Sequence, residues 1–322
     1  MKRLSTVVML VVSALWALGA SAQMYPNRPI KLIVADSAGG APDQLGRLLT
    51  EKLSNNVNQP VVVDNRPGAG GALGAELAAK SAPDGYTLLL TTTAIYAILP
   101  NLRKNLPYDP VRDFVPITRI ATASNVLVVN NELPVKDIAE LVKLAKEKPG
   151  ALNYASAGVG TPAHLAGEML NLLADIKVVH VPYKGAAPAL ADVIAGNAQY
   201  IITSPLAAGA HMNGGRVRAL ATTGTQRNPS LPDLATIAET LPGYDITQTW
   251  GIVVPTGTPP EIVNKLSAEI VKVMNQPDVR EKVLATGATP VGDSPAQFEA
   301  FMTKERQRLG DVIAKRGIVL TD

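Results

Sequence analysis

The chain has 322 residues, a formal net charge of +3, three histidines and no cysteine. Without cysteine there is no disulfide, thiolate metal site or thiol nucleophile, so an apolar core must hold the fold, and a chain this long can bury two lobes. Lys2 and Arg3 carry two of the positive charges and precede a removable segment, so the basic balance is no argument for nucleic acid.

Those two residues stand before an apolar stretch at 7–20 that closes on Ala20-Ser-Ala22, the small-x-small form of a cleavage site. The stretch is too short to span a bilayer comfortably, and no later one is long enough. The expectation is a signal peptide over residues 1–22, cut after Ala22, and a mature protein in the periplasm.

Lys31, Leu32, Ile33, Val34 and Ala35 then form a short apolar run of the kind that makes a buried parallel strand. Ser37, Ala38, Gly39 and Gly40 follow as a small-residue turn, Pro42 suits a first helical turn, and Leu45, Leu48, Leu49 and Leu53 recur at helical spacing. Strand, small-residue loop and helix N-terminus together aim free N–H groups and a positive dipole end out of the sheet. This is either an anion-binding loop or an ordinary βα turn; Asp43, in the first helical turn, joins the candidate set.

Residues 61–64 read as a strand, 72–80 as an Ala-rich helix, Pro83-Asp-Gly85 as a turn and 86–90 as a strand. Such alternation indicates βαβ units on a mainly parallel sheet. Residues 100–116 are punctuated by proline, 126–129 form a strand, and 134–148 form an amphipathic helix ended by Pro149-Gly150.

The pattern then restarts. Residues 152–156 are a strand; Ala157, Gly158, Val159 and Gly160 are a small-residue loop; Thr161 caps a helix with Pro162 at its first position and His164 in its first turn. Residues 178–182 are a strand, followed by Tyr183, Lys184 and Gly185 and a helix over 187–195. Strands at 200–203 and 217–223 complete a second sheet, 251–255 returns to the first, and helices at 260–274, 277–285 and 295–316 finish the chain. The expected fold is α/β: two mainly parallel sheets flanked by helices and joined by two crossover segments. Lobe 1 takes residues 23–125 and 245–322, lobe 2 residues 126–244, and ligands of such sheets sit at the carboxyl ends of the strands.

Ala35-Asp-Ser-Ala-Gly39 is like a nucleophile elbow with Ala for the first Gly, but it follows the first strand of the mature chain, and none of His164, His180 and His211 has a general-base context. Gly68-Ala-Gly-Gly-Ala-Leu-Gly74 misses the dinucleotide fingerprint by one residue and lies too far from its strand. No His, Asp or Glu cluster has metal spacing, so neither metal nor cofactor is expected. His164 is the histidine best placed to donate to an acidic ligand. Tyr183 and Lys184 at a strand end can hold a carboxylate beside Gly185, although Lys184 can equally serve an ion pair between lobes. Trp250 can wall the cleft or fill the core. No nucleophile, base and orienting group assemble, so binding rather than catalysis is expected.

Tyr25-Pro-Asn-Arg-Pro-Ile30, Asn65-Arg-Pro-Gly-Ala-Gly-Gly71, Pro83-Asp-Gly-Tyr-Thr-Leu88 and Leu106-Pro-Tyr-Asp109 come in the order seen in the periplasmic solute-binding proteins of tripartite tricarboxylate transporters, the Bug family. Gly158-Val-Gly-Thr161, His164-Leu-Ala-Gly-Glu168, His180-Val-Pro-Tyr-Lys-Gly185 and Trp250-Gly251 continue a resemblance that covers the whole mature chain. It implies a two-lobed, type II-like Venus flytrap without enzymatic activity, which captures a small di-, tri- or aromatic carboxylate and hands it to the membrane subunits of a transporter, as a monomer. A ligand-sensing role toward a membrane receptor is the alternative. By the same resemblance one carboxylate is held at Ser37, Ala38, Gly39 and Gly40 and near Thr92. The second lobe contributes Ser156, Ala157, Gly158, Gly160 and Thr161, then Tyr183, Lys184 and Gly185, and Ser204. The chain departs from the family at Ala35-Asp36, where Pro-Phe is usual, and at Ser204, near which an acidic residue is common. Asp36 would repel a carboxylate beside it unless it faces an amine, a hydroxyl or a structural partner.

Overall fold

The computed structural model describes residues 25–183 and 185–318. The expected signal peptide and Lys184 lie outside the described residues. Eleven described strands fall into two sheets, one of six strands ordered β11-β4-β10-β3-β1-β2 and one of five ordered β7-β6-β8-β5-β9. The first sheet comprises β1 (Ile30–Val34), β2 (Val61–Asn65), β3 (Thr87–Thr92), β4 (Phe114–Ser124), β10 (Thr247–Pro255) and β11 (Thr289–Pro290). The second comprises β5 (Val126–Asn130), β6 (Asn153–Ser156), β7 (Val179–Pro182), β8 (Tyr200–Thr203) and β9 (Val217–Thr222). β1 pairs in parallel with β2 and β3, and β6 in parallel with β7 and β8. Reversed strands enter both sheets: β10 lies antiparallel between β3 and β4, β11 pairs antiparallel with the other edge of β4, and β5 lies antiparallel between β8 and β9.

Helix α1 (Ala41–Val57) packs Leu45, Leu49 and Leu53 onto Ile30, Leu32 and Val34, in a cluster shared with Val263, Leu266 and Ile270 of the helix Pro260–Met274. Gly46 makes that approach possible: a Cβ there would stand 3.0 Å from Val34 Cγ2. α2 (Ala72–Ala79) follows β2, and a short α3 (Leu99–Leu102) follows β3. In the second lobe α4 (Ile138–Glu147) is capped by Asp137, which accepts from the Glu140 N–H. α5 (Pro162–Ala174), α6 (Ala186–Ile194) and α7 (Pro205–Asn213) follow β6, β7 and β8, and α8 (Ile237–Thr240) precedes the return. α9 (Pro260–Met274), α10 (Pro277–Ala285) and α11 (Pro295–Arg316) end the chain. The two lobes share a core cluster, in which Phe298, Met302 and Leu309 of α11 join Tyr154, Leu165 and Met169 of the second lobe. The Tyr244 hydroxyl donates to the Ala166 carbonyl at 3.0 Å, a further tie between the returning chain and α5.

Several elements depart from the sequence reading, among them β4, β10 and α7. β4 starts inside the stretch read as proline-punctuated and runs on through residues assigned no element, and it admits Pro116 because β11 covers it only at Ala121 and Thr122, leaving the proline on a free edge. β10 begins at Thr247 rather than 251, with register shifts on either side of Gly251 and Ile252. α7 carries no apolar stripe to announce it; its start is fixed by Ser204, whose side chain accepts from the Ala207 N–H.

Candidate functional site

Strand register places the site. Val34 ends β1 opposite Leu90, Thr92 ends β3 opposite Trp250, and Thr247 of β10 stands opposite Ser124, the last residue of β4. The edge at which β1 and β3 end is therefore the edge at which the chain crosses to the second lobe. There Val126 pairs with both Thr203 and Thr222, the last residues of β8 and β9, and Ser156 pairs with Pro182 at the ends of β6 and β7. Loops 35–40 and 92–93 thus project toward the same hinge as loop 157–161, Tyr183, Gly185 and Ser204. The hinge itself is laced by Thr223. Its hydroxyl accepts from the Asn125 N–H at 2.9 Å and donates to the Ile246 carbonyl at 2.6 Å, while its own N–H donates to the Asn125 carbonyl at 2.9 Å.

In the first lobe Ser37, Ala38 and Gly39 are exposed, Gly40 is half-buried, and Gly39 takes φ +86°, which suits glycine. Asp43 is buried and engaged by the protein itself. It accepts from the Gly39 N–H at 2.8 Å, from Arg47 Nε at 2.9 Å and from Asn65 Nδ2 at 2.9 Å. Burial pushes its carboxyl up, but the Arg47 guanidinium, the Gly39 N–H and Asn65 together hold it below the usual carboxylate range. Asp43 is the tie that shapes the loop rather than an open ligand contact, because its oxygens are filled from within. Asp36 differs. It is exposed, and its Oδ1 accepts from the Ser37 N–H at 2.7 Å. Its carboxyl is raised above the ordinary range by lost hydration first, with Asp43 adding to the rise and the Ser37 N–H opposing it.

At the end of β3, Thr92 is half-buried while Thr93 is buried, and Thr93 Oγ1 accepts from the Thr249 N–H at 2.9 Å, fastening β3 to β10. Trp250 is 3% exposed within the first-lobe core, so it fills the core rather than walling the cleft.

In the second lobe Ser156 and Thr161 build the loop. Ser156 Oγ accepts from the Gly158 N–H at 3.1 Å and lies 2.6 Å from His180 Nε2; Thr161 Oγ1 donates to the Gly158 carbonyl at 2.7 Å and caps α5 by accepting from the His164 N–H. His164 Nδ1 accepts from the Gly160 N–H at 3.3 Å, which leaves the ring proton on Nε2. Beneath the loop four rings stack in series: His164 on His180 at 4.1 Å, His180 on Tyr154 at 4.8 Å and Tyr154 on Tyr200 at 5.6 Å between centroids. Burial lowers the His164 pKa against the pull of Glu168, and burial with the His164 neighbour takes His180 down to about 3. Both rings are accordingly neutral supports near neutral pH. Gly167 gives the stack its room, since a Cβ there would lie 2.3 Å from the Tyr154 ring.

Ala157 and Gly158 are half-buried at the loop surface and Gly160 is buried. The Tyr183 hydroxyl donates to Asp192 Oδ2 at 2.5 Å, a bond that pushes its pKa up to about 12. Its proton is therefore engaged within the lobe. Gly185 takes φ +121° with open space where a Cβ would stand, its N–H donating to the Ala157 carbonyl at 3.2 Å, and Ser204 caps α7 by accepting from the Ala207 N–H. Asp43, Ser156, Thr161, His164 and Tyr183 all make hydrogen bonds within the protein that hold the small-residue loops in shape. Sequence reasoning missed Asn65, Thr223 and Asp192. Each acts through a long-range hydrogen bond, which no local spacing signals. Among the described residues no group of three or more His, Asp or Glu is placed to hold a metal.

Two α/β lobes on a hydrogen-bonded double crossover, with facing loops at the strand ends, define a solute-binding receptor. The chain belongs to the tripartite tricarboxylate transporter family receptors (TctC), whose family model matches residues 45–318. It is 39% identical over 293 residues, 90% of this chain and 87% of the relative, to the "UPF0065 protein in tcbD-tcbE intergenic region" of Pseudomonas sp. strain P51. It is 35% identical to "Protein BugT" of Bordetella pertussis, with 99% of each chain covered. Among solved structures it is similar to R. palustris Rpa4515 with adipate, at TM-score 0.86 and 34% identity over 92% of this chain and 99% of that one. It is also similar to MatC from Rhodopseudomonas palustris with bound malate, at TM-score 0.81 and 30% identity over 90% of this chain and all of that one. The protein is a periplasmic-type binding receptor and not an enzyme.

Proposed function

We propose that this receptor captures a small organic carboxylate between its lobes and delivers it to the membrane subunits of a tripartite tricarboxylate-type transporter. The observation that carries this reading is the pair of small-residue loops facing one another across the Thr223 hinge, in a family whose solved members hold adipate and malate. The contacting set is Ser37, Ala38, Gly39, Gly40 and Thr92 from lobe 1. Lobe 2 adds Ala157, Gly158, Lys184, Gly185 and Ser204; behind them stand Asp43 in lobe 1 and Ser156, Gly160, Thr161, His164 and Tyr183 in lobe 2. Lobe 1 runs over 23–125 and 245–322 and lobe 2 over 126–244, boundaries supported by the crossovers at Asn125 and before Thr247. Ligand shifts an open population toward a closed one, and the mature protein works in the periplasm as a single copy after cleavage behind Ala22.

A thermal-shift screen of the purified protein, unfolded and refolded to strip carried ligand, tests this. A panel of C4–C6 diacids, citrate, aromatic carboxylates, amino acids and ω-amino acids should contain at least one hit. Ligand at a hundred times its Kd adds about 2.7 kcal/mol, a rise of several degrees. No shift with any carboxylate would refute carboxylate capture.

A further inference from the structure

Asp36 sits in the loop that leaves β1 toward the hinge, between the last β1 residue, Val34, and the exposed Ser37, Ala38 and Gly39. Its carboxylate lies against the start of α1. A Cβ on Gly40, the N-cap of that helix, would stand 3.7 Å from both Asp36 Cγ and Oδ1. The place that the helix N-terminus offers to a ligand anion thus already has a resident negative charge beside it.

That charge has little structural work to do. α1 receives no side-chain cap bond, and the only hydrogen bond to the Asp36 carboxylate among the described residues comes from the adjacent Ser37 N–H. The nearby arginines are engaged elsewhere: Arg47 on Asp43 at 2.9 Å and Arg66 on Asp64 at 2.9 Å. Among the described residues no cation pairs with Asp36. On the opposite lobe the Tyr183 proton is held by Asp192 and the Gly185 N–H by the Ala157 carbonyl at 3.2 Å, whereas the Ser204 hydroxyl accepts from the Ala207 N–H and donates to no described residue. Lobe 1 is therefore acidic at its tip, and Ser204 on lobe 2 keeps a hydroxyl proton for an anion.

We propose that Asp36 is a specificity-determining residue that contacts the ligand, and that the preferred solute is a zwitterion, its protonated amine on Asp36 and its carboxylate on lobe 2. This deepens the carboxylate-capture reading and rests on it. An ammonium satisfies the Asp36 oxygens with a charge-assisted hydrogen bond, while a second carboxylate at that end meets like charge.

The test is isothermal titration of the purified, ligand-stripped protein with length-matched pairs: glutarate and 4-aminobutyrate, adipate and 5-aminopentanoate, terephthalate and 4-(aminomethyl)benzoate. In the wild type the amino member of at least one pair should bind tenfold or more tightly than its diacid. Asp36→Asn should lower that affinity at least tenfold, leave diacid affinity equal or improved, and keep the melting temperature of the unliganded protein unchanged, since the side chain is exposed. Diacids binding as tightly as their amino partners in the wild type would overturn the proposal while leaving carboxylate capture standing. Equal losses for both classes in Asp36→Asn would also overturn it, because Asp36 would then act through a protein partner, with Lys184 the residue to substitute next. No binding of any carboxylate-bearing probe would remove both readings.

Discussion

Gly74 offers a test in which packing and propensity give opposite signs. It lies in α2, where alanine is the better helix former by about 1 kcal/mol, so on propensity alone Gly74→Ala stabilises. The structure reverses this. A Cβ at residue 74 would stand 2.6 Å from Ala35 Cβ, 2.9 Å from Ala35 Cα and 2.9 Å from the Arg66 carbonyl oxygen. Two of those three atoms are backbone, so no side-chain rotation relieves the clash. α2 must instead part from the segment that carries Asp36 and from the exit of β2. Overpacking costs about 1–3 kcal/mol, and rigid backbone puts this site at the upper end. Subtracting the propensity gain leaves a net loss of about 2 kcal/mol, several degrees in Tm for a chain of this size. Urea unfolding followed through the buried Trp250 measures it as a lower midpoint at unchanged slope. Ligand affinity should fall as well, because the displaced segment belongs to the lobe 1 loop. A midpoint that stays put or rises would refute the close approach of α2 to Ala35.

The histidine stack makes stability depend on acid. An unfolded histidine takes its proton near pH 6.5 and His180 in the fold only near 3, so His180 contributes fully above about 6.5 and loses that contribution as pH falls toward 3. The full linkage loss between pH 6.5 and 5.5 is about 1 kcal/mol, and solvent screening of the half-buried ring brings it to about 0.5 kcal/mol. His164 acts in the same direction. His180→Phe keeps a ring in the stack and should flatten the dependence of Tm on pH across that interval; an unchanged slope would show that the stack does not set it. Asp43→Ala strands the Gly39 N–H, Asn65 and Arg47 together, and should cost about 2–4 kcal/mol in denaturant unfolding, with weaker ligand binding. A loss under about 0.5 kcal/mol would mean that the loop does not hang on Asp43.

Helix starts were the most legible feature of the sequence. α9, α10 and α11 begin at Pro260, Pro277 and Pro295, and Thr161 caps α5 ahead of Pro162, because proline at the first turn and a hydroxyl at the cap are local signals. The facing loops were legible for the same reason: glycines and small residues between a strand and a helix mark themselves. β4 was not, since Pro116 breaks the pattern of a strand whose free edge only the tertiary fold reveals. Nor was the division of labour within the site. Asp43 reads as a candidate binding residue until Asn65 and Arg47 reach it across the fold, and Tyr183 until Asp192 takes its proton. Asp36 stood out as a charge, but that no cation among the described residues pairs with it required the positions of Arg47 and Arg66.

Capture between two moving lobes can be observed directly, because the chain contains no cysteine to compete for label. Leu77 on α2 and Val179 at the start of β7 are 42% and 41% exposed, one on each lobe. With dyes on Leu77→Cys and Val179→Cys, single-molecule energy transfer reports the distance between lobes while titration calorimetry counts the ligand. The expected result is one ligand per chain, with a shift of the population toward higher transfer at saturation. A carboxylate that binds one to one and leaves the transfer distribution unchanged would contradict capture by closure of the cleft.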